Sequence, residues 1–409
     1  MPERLVVVGA SLAGLRAIES ARRAGFGGAI TLVGAEEHLP YDRPPLSKAF
    51  LADDAPGGQP VPFRSRAHLV TELGVELLLG VRAVGVDGAA RSIALADGRE
   101  LPFTRAVLST GAHVRRLPTV GDGPGVHHLR TWDDAVALKE ALRTARRILV
   151  VGAGFIGSEV ASAAVKRGCE VVMVEVASSP LERAFGAEMG IACVDLHTRA
   201  GVDVRLGVAV VSVGPGDGGL LVELSSGDTL RVDRVVVGVG AAPTTGWLEG
   251  SGIAVDNGIV CDASLESSVS GVFVAGDVAR WQDAASGHSL RLENWTAAAE
   301  QGQLAGRRAA GGPPETYRPV AYFWSDWHTT RIQMLGTSVG ADAEVVDGCV
   351  EDGRWVAGYR RGDALVGLLS VGMPAETMKY RTLVAAGAGW DDVLRLAADR
   401  REKRTAALR

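Results

Sequence analysis

The sequence has few cysteines and no pair of them at a spacing that binds a metal or forms a redox disulfide. Four occur in 409 residues, and neither a CxxC nor a CxxxxC segment is present. Metal centres and dithiol redox sites normally require such local pairs. We therefore expect no metal site and no redox-active disulfide among Cys169, Cys193, Cys261 and Cys349.

The chain also lacks a long apolar run and a strong charge of either sign. No uninterrupted apolar stretch reaches the length that spans a bilayer, which argues against a transmembrane helix and a membrane role. The formal net charge of −5 gives no global reason to expect nucleic-acid binding. The N-terminal Met1-Pro2-Glu3-Arg4-Leu5 leads directly into a predicted strand, which leaves no room for a signal peptide and favours a cytoplasmic location.

Two glycine-rich motifs, 143 residues apart, are the most informative part of the sequence. Each follows a β-branched run and opens a helical pattern: Val8-Gly9-Ala10-Ser11-Leu12-Ala13-Gly14 and Val150-Val151-Gly152-Ala153-Gly154-Phe155-Ile156-Gly157. The glycines let the backbone approach a pyrophosphate at the N-terminal end of a helix. Ser11 replaces the usual middle glycine, and its small side chain is compatible with that role. Two motifs predict a protein that holds two dinucleotides, a flavin and a nicotinamide being the obvious pair.

The first motif lies in a predicted β-α-β unit with a strand over 4–9, a helix over 12–25 and a strand over 29–34. The acidic pair Glu36-Glu37 follows the second strand, 22 residues after Gly14. This spacing is typical of a carboxylate that accepts hydrogen bonds from a ribose diol.

The second motif lies in a similar unit, with strands over 147–152 and 170–175 and a helix over 155–167. Its last strand ends on Glu175, 18 residues after Gly157, which again fits a ribose-binding carboxylate. No arginine follows at 176 or 177 to receive a 2′-phosphate, so NADH is favoured over NADPH. Arg183 in the next loop keeps NADPH open as an alternative.

Further buried strands and a change of pattern near the C-terminus complete the predicted fold. One strand ends in Gly276-Asp277, which places a carboxylate at the ligand edge of a parallel sheet. After Pro313-Pro314 short strands alternate with turns, and two helices follow. We predict an α/β protein with two Rossmann-like dinucleotide-binding domains and a C-terminal α+β domain. The C-terminal elements are strands near 319–324, 331–336, 343–347, 355–360 and 364–371, and helices over 374–387 and 390–403.

Four short segments, in this order, carry a resemblance to a known family. They are Arg43-Pro44-Pro45-Leu46-Ser47-Lys48, Leu129-Arg130-Thr131, Gly276-Asp277 and Trp324-Ser325-Asp326. With them the whole chain resembles the FAD-dependent ferredoxin reductases of bacterial cytochrome P450 and ring-hydroxylating dioxygenase systems. The resemblance implies a glutathione-reductase-like fold divided into FAD-binding residues 1–113, NAD-binding residues 114–243, FAD-binding residues 244–316 and a C-terminal reductase domain over 317–409. It also implies a monomer or weak homodimer.

The resemblance assigns non-covalent FAD and NADH as cofactors and a small [2Fe–2S] ferredoxin as the partner. Lys48 and Glu159 would tune the charge near flavin N5 and the nicotinamide, a purely structural ion pair being the alternative. Trp327 departs from the family pattern, where glutamine is frequent, as do Ser11 and Trp295 from some members. The residues implied at FAD are Gly9, Ser11, Ala13, Gly14, Ala35, Glu36, Arg43, Lys48, Val84, Thr110, Gly111, Arg130, Gly276, Asp277, Trp295 and Trp324. Those implied at NADH are Gly152, Gly154, Phe155, Ile156, Gly157, Glu159, Glu175, Arg183 and Gly238.

The segment Pro44-Pro45-Leu46-Ser47-Lys48 contains no sulfur where related disulfide reductases and peroxidases carry cysteine. We therefore expect hydride transfer from NADH to flavin N5, followed by two single-electron transfers to the ferredoxin without a thiol intermediate. A rubredoxin reductase, an NADH oxidase and an NADH-sensing flavoprotein of the apoptosis-inducing-factor type remain alternatives.

An acidic ferredoxin would need a basic face. The sequence offers Arg307-Arg308, Arg360-Arg361 and the run Arg400-Arg401-Glu402-Lys403-Arg404, the last of which also fits a solvated helix end. His288 and His328 are isolated in the sequence, and we expect both to lie at the surface rather than in a proton-transfer site.

Overall fold

The computed structural model describes residues 2–52, 58–283 and 287–407. These residues form two compact units, each built from separate segments of the chain. The first unit comprises Met1–Arg43, Gly58–His113 and Ala241–Pro319, and the second comprises Pro44–Gly57, Val114–Gly240 and Val320–Arg409. Among the helices in the described ranges, none has both the length and the apolar character needed to cross a membrane.

The strands are numbered in chain order. They are β1 Arg4–Val8, β2 Ala29–Gly34, β3 Val75–Leu79, β4 Ala83–Asp87, β5 Ser92–Leu95, β6 Glu100–Pro102, β7 Arg105–Leu108, β8 Ala112–Val114, β9 Val126–His127, β10 Arg147–Val151, β11 Glu170–Glu175, β12 Asp203–Leu206, β13 Val210–Gly216, β14 Gly219–Leu224, β15 Thr229–Val232, β16 Arg234–Val237, β17 Ala241–Pro243, β18 Ile259–Cys261, β19 Val272–Val274, β20 Ala279–Gln282, β21 Ser289–Leu290, β22 Tyr322–Trp327, β23 Thr330–Gly336, β24 Asp342–Cys349, β25 Arg354–Arg361 and β26 Ala364–Val371.

The helices are numbered in the same way. They are α1 Leu12–Arg23, α2 Ala49–Ala52, α3 Trp132–Thr144, α4 Phe155–Lys166, α5 Glu182–Phe185, α6 Ala187–Arg199, α7 Trp295–Ala309, α8 Pro374–Thr377, α9 Arg381–Ala386 and α10 Trp390–Ala407. Short 3₁₀ turns lie at Pro44–Ser47 and Gly246–Leu248, and a π-helical turn lies at His68–Glu72.

The centre of the first unit is a five-stranded parallel sheet in the order β19-β7-β1-β2-β3. Parallel strands are covered on both faces, which explains why residues 5–8 of β1 are a continuous apolar run that is almost completely buried. Helix α1 packs directly against α7, because a Cβ atom at Gly306 would lie 2.1 Å from the carbonyl oxygen of Ala17. Two small sheets complete the unit: β4-β5-β6 is antiparallel, and β18-β20-β21 is mixed, because β18 pairs with β20 in parallel and β21 pairs with β20 antiparallel.

The second unit contains a sheet of the same kind, in the order β12-β11-β10-β16-β9. All its strand pairs are parallel, and an antiparallel sheet β13-β14-β15 accompanies it. In each unit the helix after its glycine motif connects the central strand to a neighbouring strand, α1 from β1 to β2 and α4 from β10 to β11. The two predicted β-α-β units are therefore present, and the strands predicted over 29–34 and 170–175 have those bounds.

The C-terminal part of the second unit is an antiparallel sheet in the order β22-β23-β26-β25-β24. The fully buried Trp327 and Trp355 belong to the hydrophobic core on this sheet. Ion pairs hold helix α10 to α8, where Arg400 and Arg404 reach the buried carboxylate of Glu376 at 2.7 and 3.1 Å, and to the sheet, where Arg404 also pairs with Asp347 of β24. Because a buried carboxylate without a partner is strongly destabilising, these pairs fix the position of the helix.

The prediction of one helix over 374–387 is wrong, because the chain forms α8 and α9 with a break between them. Glu376 is bound by the arginines of α10, and the Thr377 hydroxyl donates to Gln333 Oε1 at 2.9 Å. Tyr380, in the break, is completely buried. These tertiary contacts outweigh the local helical pattern.

Candidate functional site

The first glycine motif forms a tight turn between β1 and α1 in the first unit. Gly9 has φ +119°, and a Cβ atom there would lie 2.1 Å from the carbonyl oxygen of Ser109. A Cβ atom at Gly14 would lie 2.1 Å from the carbonyl oxygen of Gly9, so strand and helix meet backbone to backbone. The N-cap residue Ser11 makes no side-chain hydrogen bond to the helix. The turn thus fits a pyrophosphate, which the N–H groups of the first helical turn would bind.

The predicted ribose carboxylate of the first unit is joined to this turn by an arginine. Glu36 Oε1 lies 2.6 Å from Arg43 Nη2, and Glu36 Oε2 accepts from the Tyr41 hydroxyl at 2.6 Å. Arg43 Nε donates to Ser11 Oγ at 3.3 Å. Arg43 therefore brings the Ser11 and Glu36 positions into one site.

This network sets the charge state of both ionisable groups. Burial raises the pKa of Glu36, but the Arg43 charge and the hydrogen bonds from Tyr41 and Arg43 outweigh it and hold that pKa below its ordinary value. Burial lowers the pKa of Arg43, but Tyr41, Glu36 and Asp277 together hold it above its ordinary value. The site therefore keeps a fixed cation beside a fixed carboxylate.

Other residues predicted at FAD lie in the same unit on the ends of neighbouring elements. Gly276 has φ +81°, and its N–H donates to Gln301 Oε1 of α7 at 2.8 Å. A Cβ atom at Gly276 would lie 3.2 Å from that of Ala13, so this turn lies against α1. The Trp295 indole N–H, at the start of α7, donates to Asp42 Oδ1 at 2.9 Å.

Of the other predicted residues in the first unit, two form hydrogen bonds with the backbone of Thr244 and two lie at the surface of the unit. The Thr110 hydroxyl donates to the carbonyl oxygen of Thr244 at 3.0 Å, and the Gly111 carbonyl accepts from Thr244 N at 2.9 Å. Ala35 is exposed directly after β2, and Val84 is 48% exposed on β4.

The second glycine motif forms the equivalent turn in the second unit. Gly152 has φ +102°, and a Cβ atom at Gly157 would lie 2.1 Å from the carbonyl oxygen of Gly152. Gly238, at the end of the neighbouring strand, donates to Val151 O at 2.8 Å and packs against Gly157. The N-cap Gly154 offers no side chain to the helix. This turn also fits a pyrophosphate.

The carboxylate of the second unit is bound by two backbone amides within the described residues. Glu175 Oε2 accepts from Ala153 N, and Oε1 accepts from Ala177 N, both at 2.9 Å. The carboxylate thus lies directly over the glycine turn. A ribose hydroxyl that donates to Glu175 would therefore lie next to the glycine turn.

The other residues predicted at NADH differ in burial. The Phe155 ring contacts those of Phe185 and Phe323, with centroids 5.6 and 4.9 Å away, and so belongs to the hydrophobic core. Ile156 is 42% exposed at the start of α4, and Arg183 is exposed on α5.

Lys48 and Glu159, predicted as a pair, are in contact within the second unit. Lys48 Nζ lies 2.8 Å from Glu159 Oε1, and the glutamate is only 3% exposed. The Ser47 hydroxyl donates to Glu159 Oε2, and the Ser325 hydroxyl donates to Glu159 Oε1. The Trp327 indole N–H donates in turn to Ser325 Oγ at 2.8 Å. A buried carboxylate is thus surrounded by three donors.

The two remaining predicted residues lie elsewhere in this unit. Arg130 is half-buried just before α3, where its main-chain N–H donates to Asp134 Oδ2 at 3.0 Å. Trp324 is half-buried on β22, and its ring stacks on that of Tyr322 with centroids 5.9 Å apart.

Sequence reasoning did not assign a role to Ser47, Ser325 or Trp327. Ser47 and Ser325 are separated from Glu159 by 112 and 166 residues, so no local spacing reveals the cluster. The only available signal is that both serines stand in segments that carry the family resemblance. The expectation for His328 is wrong in one respect, because its ring is half-buried and lies 2.9 Å from Nδ1 of the buried His197.

The basic segments predicted as docking faces are largely engaged in internal pairs. Arg308 is bound to Glu266 at 2.8 Å with its side chain 10% exposed, and Arg307 is paired with Glu315 at 2.9 Å. Arg400 and Arg404 bind the buried carboxylates beneath α10. These arginines therefore contribute little free positive charge to a partner.

Comparisons with known proteins agree with this architecture. Residues 3–302 match the family described as pyridine nucleotide-disulphide oxidoreductase, and residues 322–404 match the family described as reductase C-terminal. Rhodocoxin reductase of Rhodococcus erythropolis is 36% identical over 93% of this chain and 89% of its own length. The ferredoxin–NAD(+) reductase component of the anthranilate 1,2-dioxygenase system of Burkholderia cepacia is 34% identical over 94% of both chains. The crystal structure of the ferredoxin reductase for the CYP199A2 system of Rhodopseudomonas palustris superposes with a TM-score of 0.89, at 31% identity over 95% of both chains.

Proposed function

Because the chain belongs to the pyridine nucleotide-disulphide oxidoreductase family and ends in a reductase C-terminal domain, we propose that it is an FAD-dependent NADH:ferredoxin reductase. Its electrons would pass to a small [2Fe–2S] ferredoxin that supplies a cytochrome P450 or a ring-hydroxylating dioxygenase. The relatives' names support this acceptor, since they include reductase components of both kinds of system. We further propose a cytoplasmic monomer or weak homodimer with the four-segment domain division predicted from the sequence.

The observation that carries the proposal is the duplicated turn, one in each unit. Each combines a glycine of positive φ, a helix N-terminus without a side-chain cap and a carboxylate at or just beyond the end of the neighbouring strand. We assign FAD to the turn of the first unit and NADH to that of the second. FAD, when bound, would accept a hydride and release its two electrons singly to an iron–sulfur acceptor.

In the first unit, Arg43 and Ser11 would bind the FAD phosphates and Glu36 its adenosine ribose. Arg43 suits this role because its guanidinium is a fixed cation whose fork matches phosphate oxygens. Gly276 and Asp277 would meet the ribitol chain, where Gln301 holds the backbone turn in place. The assignments of Lys48, Arg130, Val84, Trp295 and Trp324 to FAD stay predictions of the family resemblance.

In the second unit, Glu175 would bind the adenosine ribose of NADH. The absence of a cation at positions 176 and 177 supports NADH over NADPH, because a 2′-phosphate would meet the carboxylate without a counter-charge. Lys48 and Glu159 would set the local charge at the nicotinamide end. Since the segment Pro44–Ser47 and Lys48 contain no cysteine, no thiol is available there to receive electrons.

The test is NADH-driven reduction of cytochrome c with and without a small [2Fe–2S] ferredoxin. We expect strong ferredoxin dependence and a much lower rate with NADPH. Ferricyanide, which needs no protein partner, is the control for the NADH half of the reaction. An equal rate without ferredoxin, or rapid oxygen consumption, would instead indicate an oxidase, and a stable reduced complex that reacts slowly with all acceptors would indicate an NADH sensor.

A further inference from the structure

The hydrogen bonds around Glu159 run in one direction. An indole N–H can only donate, so Ser325 Oγ must accept from Trp327. The single hydroxyl proton of Ser325 is thereby directed to Glu159 Oε1. The serine cannot reverse this bond without losing the indole bond as well.

The carboxylate at the end of this chain has its position fixed from both sides. Glu159 Oε1 accepts from Ser325 and from Lys48, while Oε2 accepts from Ser47. Glu159 and Ser325 are 3% and 1% exposed, so water is not available to replace a lost donor. Removal of one donor therefore frees the carboxylate to rotate, and with it the Lys48 ammonium.

The Trp327 ring is itself held in place. It stacks on the imidazole of His197, with centroids 4.9 Å apart and planes inclined by 27°. His197 is completely buried and bound to His328 at 2.9 Å. Burial and the neighbouring His328 lower the pKa of His197 to about 3, so the ring is uncharged at neutral pH. It supports the tryptophan without adding a charge near Glu159.

We propose that Trp327 and Ser325 are positioning residues that act through Glu159 to fix the ammonium of Lys48. They belong to the C-terminal sheet, and their hydrogen bonds lead to Glu159. This proposal rests on the assignment of Lys48 and Glu159 to the nicotinamide and flavin N5. The C-terminal domain then contributes to hydride transfer through an orienting hydrogen bond.

The test compares two substitutions with matched controls from the same unit. Trp327→Phe removes the N–H, and its control is Trp355→Phe, because Trp355 is equally buried in the same core and its Nε1 has no partner within the described residues. Ser325→Ala removes the hydroxyl, and its control is Ser158→Ala, since the buried Ser158 hydroxyl also has no partner in that part of the chain. Thermal melting of all four variants measures the structural cost.

The readouts are the rate of flavin reduction by NADH, the dissociation constant for NAD⁺ and the midpoint potential of the bound flavin. We expect Trp327→Phe and Ser325→Ala to slow flavin reduction by about 3- to 30-fold, which corresponds to the coupling free energies measured between residues of one hydrogen-bond network. Both substitutions should also shift the midpoint potential of the flavin. The two controls should stay within about twofold of the wild type. A wild type that NADH does not reduce would overturn the proposed function instead, so the two failures are distinguishable.

A double-mutant cycle decides whether the two residues act through the carboxylate. In a Glu159→Gln background, Trp327→Phe and Ser325→Ala should have little further effect on rate or potential. The same full effect in both backgrounds would overturn the proposal, as would equal values for each variant and its control. If Trp327→Phe fails to fold, the smaller substitution Ser325→Ala is compared in the wild-type and Glu159→Gln backgrounds in the same way.

Discussion

The two glycine turns have the same backbone and different chemistry around their carboxylates. In the first unit Glu36 is bound to the cation Arg43, which also reaches Ser11 of the turn. In the second unit Glu175 is bound to two backbone N–H groups, one of them in the turn itself.

This difference matches the behaviour expected of the two ligands. A cation beside the first turn adds charge attraction to a pyrophosphate and suits a cofactor that stays bound. Among the described residues, the carboxylate at the second turn accepts from two backbone amides, which suits a substrate that must leave after each cycle. The comparison predicts that damage to the first turn removes FAD, whereas damage to the second weakens NADH and spares FAD.

The largest effect on cofactor binding is expected from alanine substitutions at the two glycines where the strand and helix backbones lie closest together. Gly14→Ala and Gly157→Ala each place a Cβ atom 2.1 Å from a carbonyl oxygen, so strand and helix must move apart. Overpacking of this kind costs about 1–3 kcal/mol, or about 5- to 150-fold in a dissociation constant. Gly14→Ala should purify with little FAD, as measured by flavin absorbance. Gly157→Ala should retain FAD but bind NADH about 5- to 150-fold more weakly, a range taken from the same conversion.

The matched controls are glycines with no heavy atom within 4 Å of the added Cβ, Gly27 in the first unit and Gly123 in the second. Their alanine variants should resemble the wild type in FAD content and NADH affinity. Loss of FAD from Gly157→Ala would break the comparison, because it would show that the two turns are not independent.

The parts of this arrangement that depend on short chain segments could be predicted from the sequence. The glycine turns, their helices and the two carboxylates Glu36 and Glu175 follow from periodicity and from spacings of about 20 residues. The parallel strands could be recognised because their buried runs are continuous rather than alternating. The family resemblance then identified Lys48 and Glu159 as a pair, and they are in contact.

The parts that depend on distant segments could not be predicted. The sheet of the first unit pairs β7 with β19, and the donors to Glu159 come from two distant segments, one with Ser47 and Lys48 and one with Ser325. A serine in a short turn such as Ser47, or in a strand such as Ser325, has the same appearance in the sequence whether or not it meets a buried carboxylate. The break between α8 and α9 likewise arises from the arginines of α10, which lie beyond the predicted helix.

A smaller effect is expected from the second carboxylate. Glu175→Gln removes the charge that would accept hydrogen bonds from the NADH ribose. Hydrogen bonds to charged groups contribute about 1.5–3 kcal/mol, so we expect a roughly 10-fold higher dissociation constant or more. Binding is measured by titration of the oxidised protein with NAD⁺. Glu170→Gln, at the exposed start of the same strand, is the control, and an equal loss there would contradict a specific role for Glu175.

The carboxylate of the first unit, Glu36, should affect how the melting temperature falls as the pH is lowered. The pKa of Glu36 is held below its ordinary value of 4.5, so the folded state gains stability from it above that pH. This gain is lost as the pH falls through the lowered value. Melting temperatures measured from pH 6 to pH 3 should therefore fall more steeply for the wild type than for Glu36→Gln. The difference corresponds to about 0.2–1 kcal/mol for a partly exposed pair, and the exposed neighbour variant Glu37→Gln should follow the wild type.

The smallest effect concerns the middle position of the two motifs, Ser11 in one and Gly154 in the other. A Cβ atom at Gly154 would meet nothing closer than Gly238 O at 3.7 Å, and its φ of −77° suits any residue. Serine is a favourable N-cap, so Gly154→Ser should change the free energy of unfolding by only a few tenths of a kcal/mol. NADH affinity should stay within about threefold, which is less than 1 kcal/mol. A loss of tenfold or more on titration with NAD⁺ would show that the pyrophosphate approaches this backbone too closely for a side chain, and that the two turns differ in depth as well as in charge.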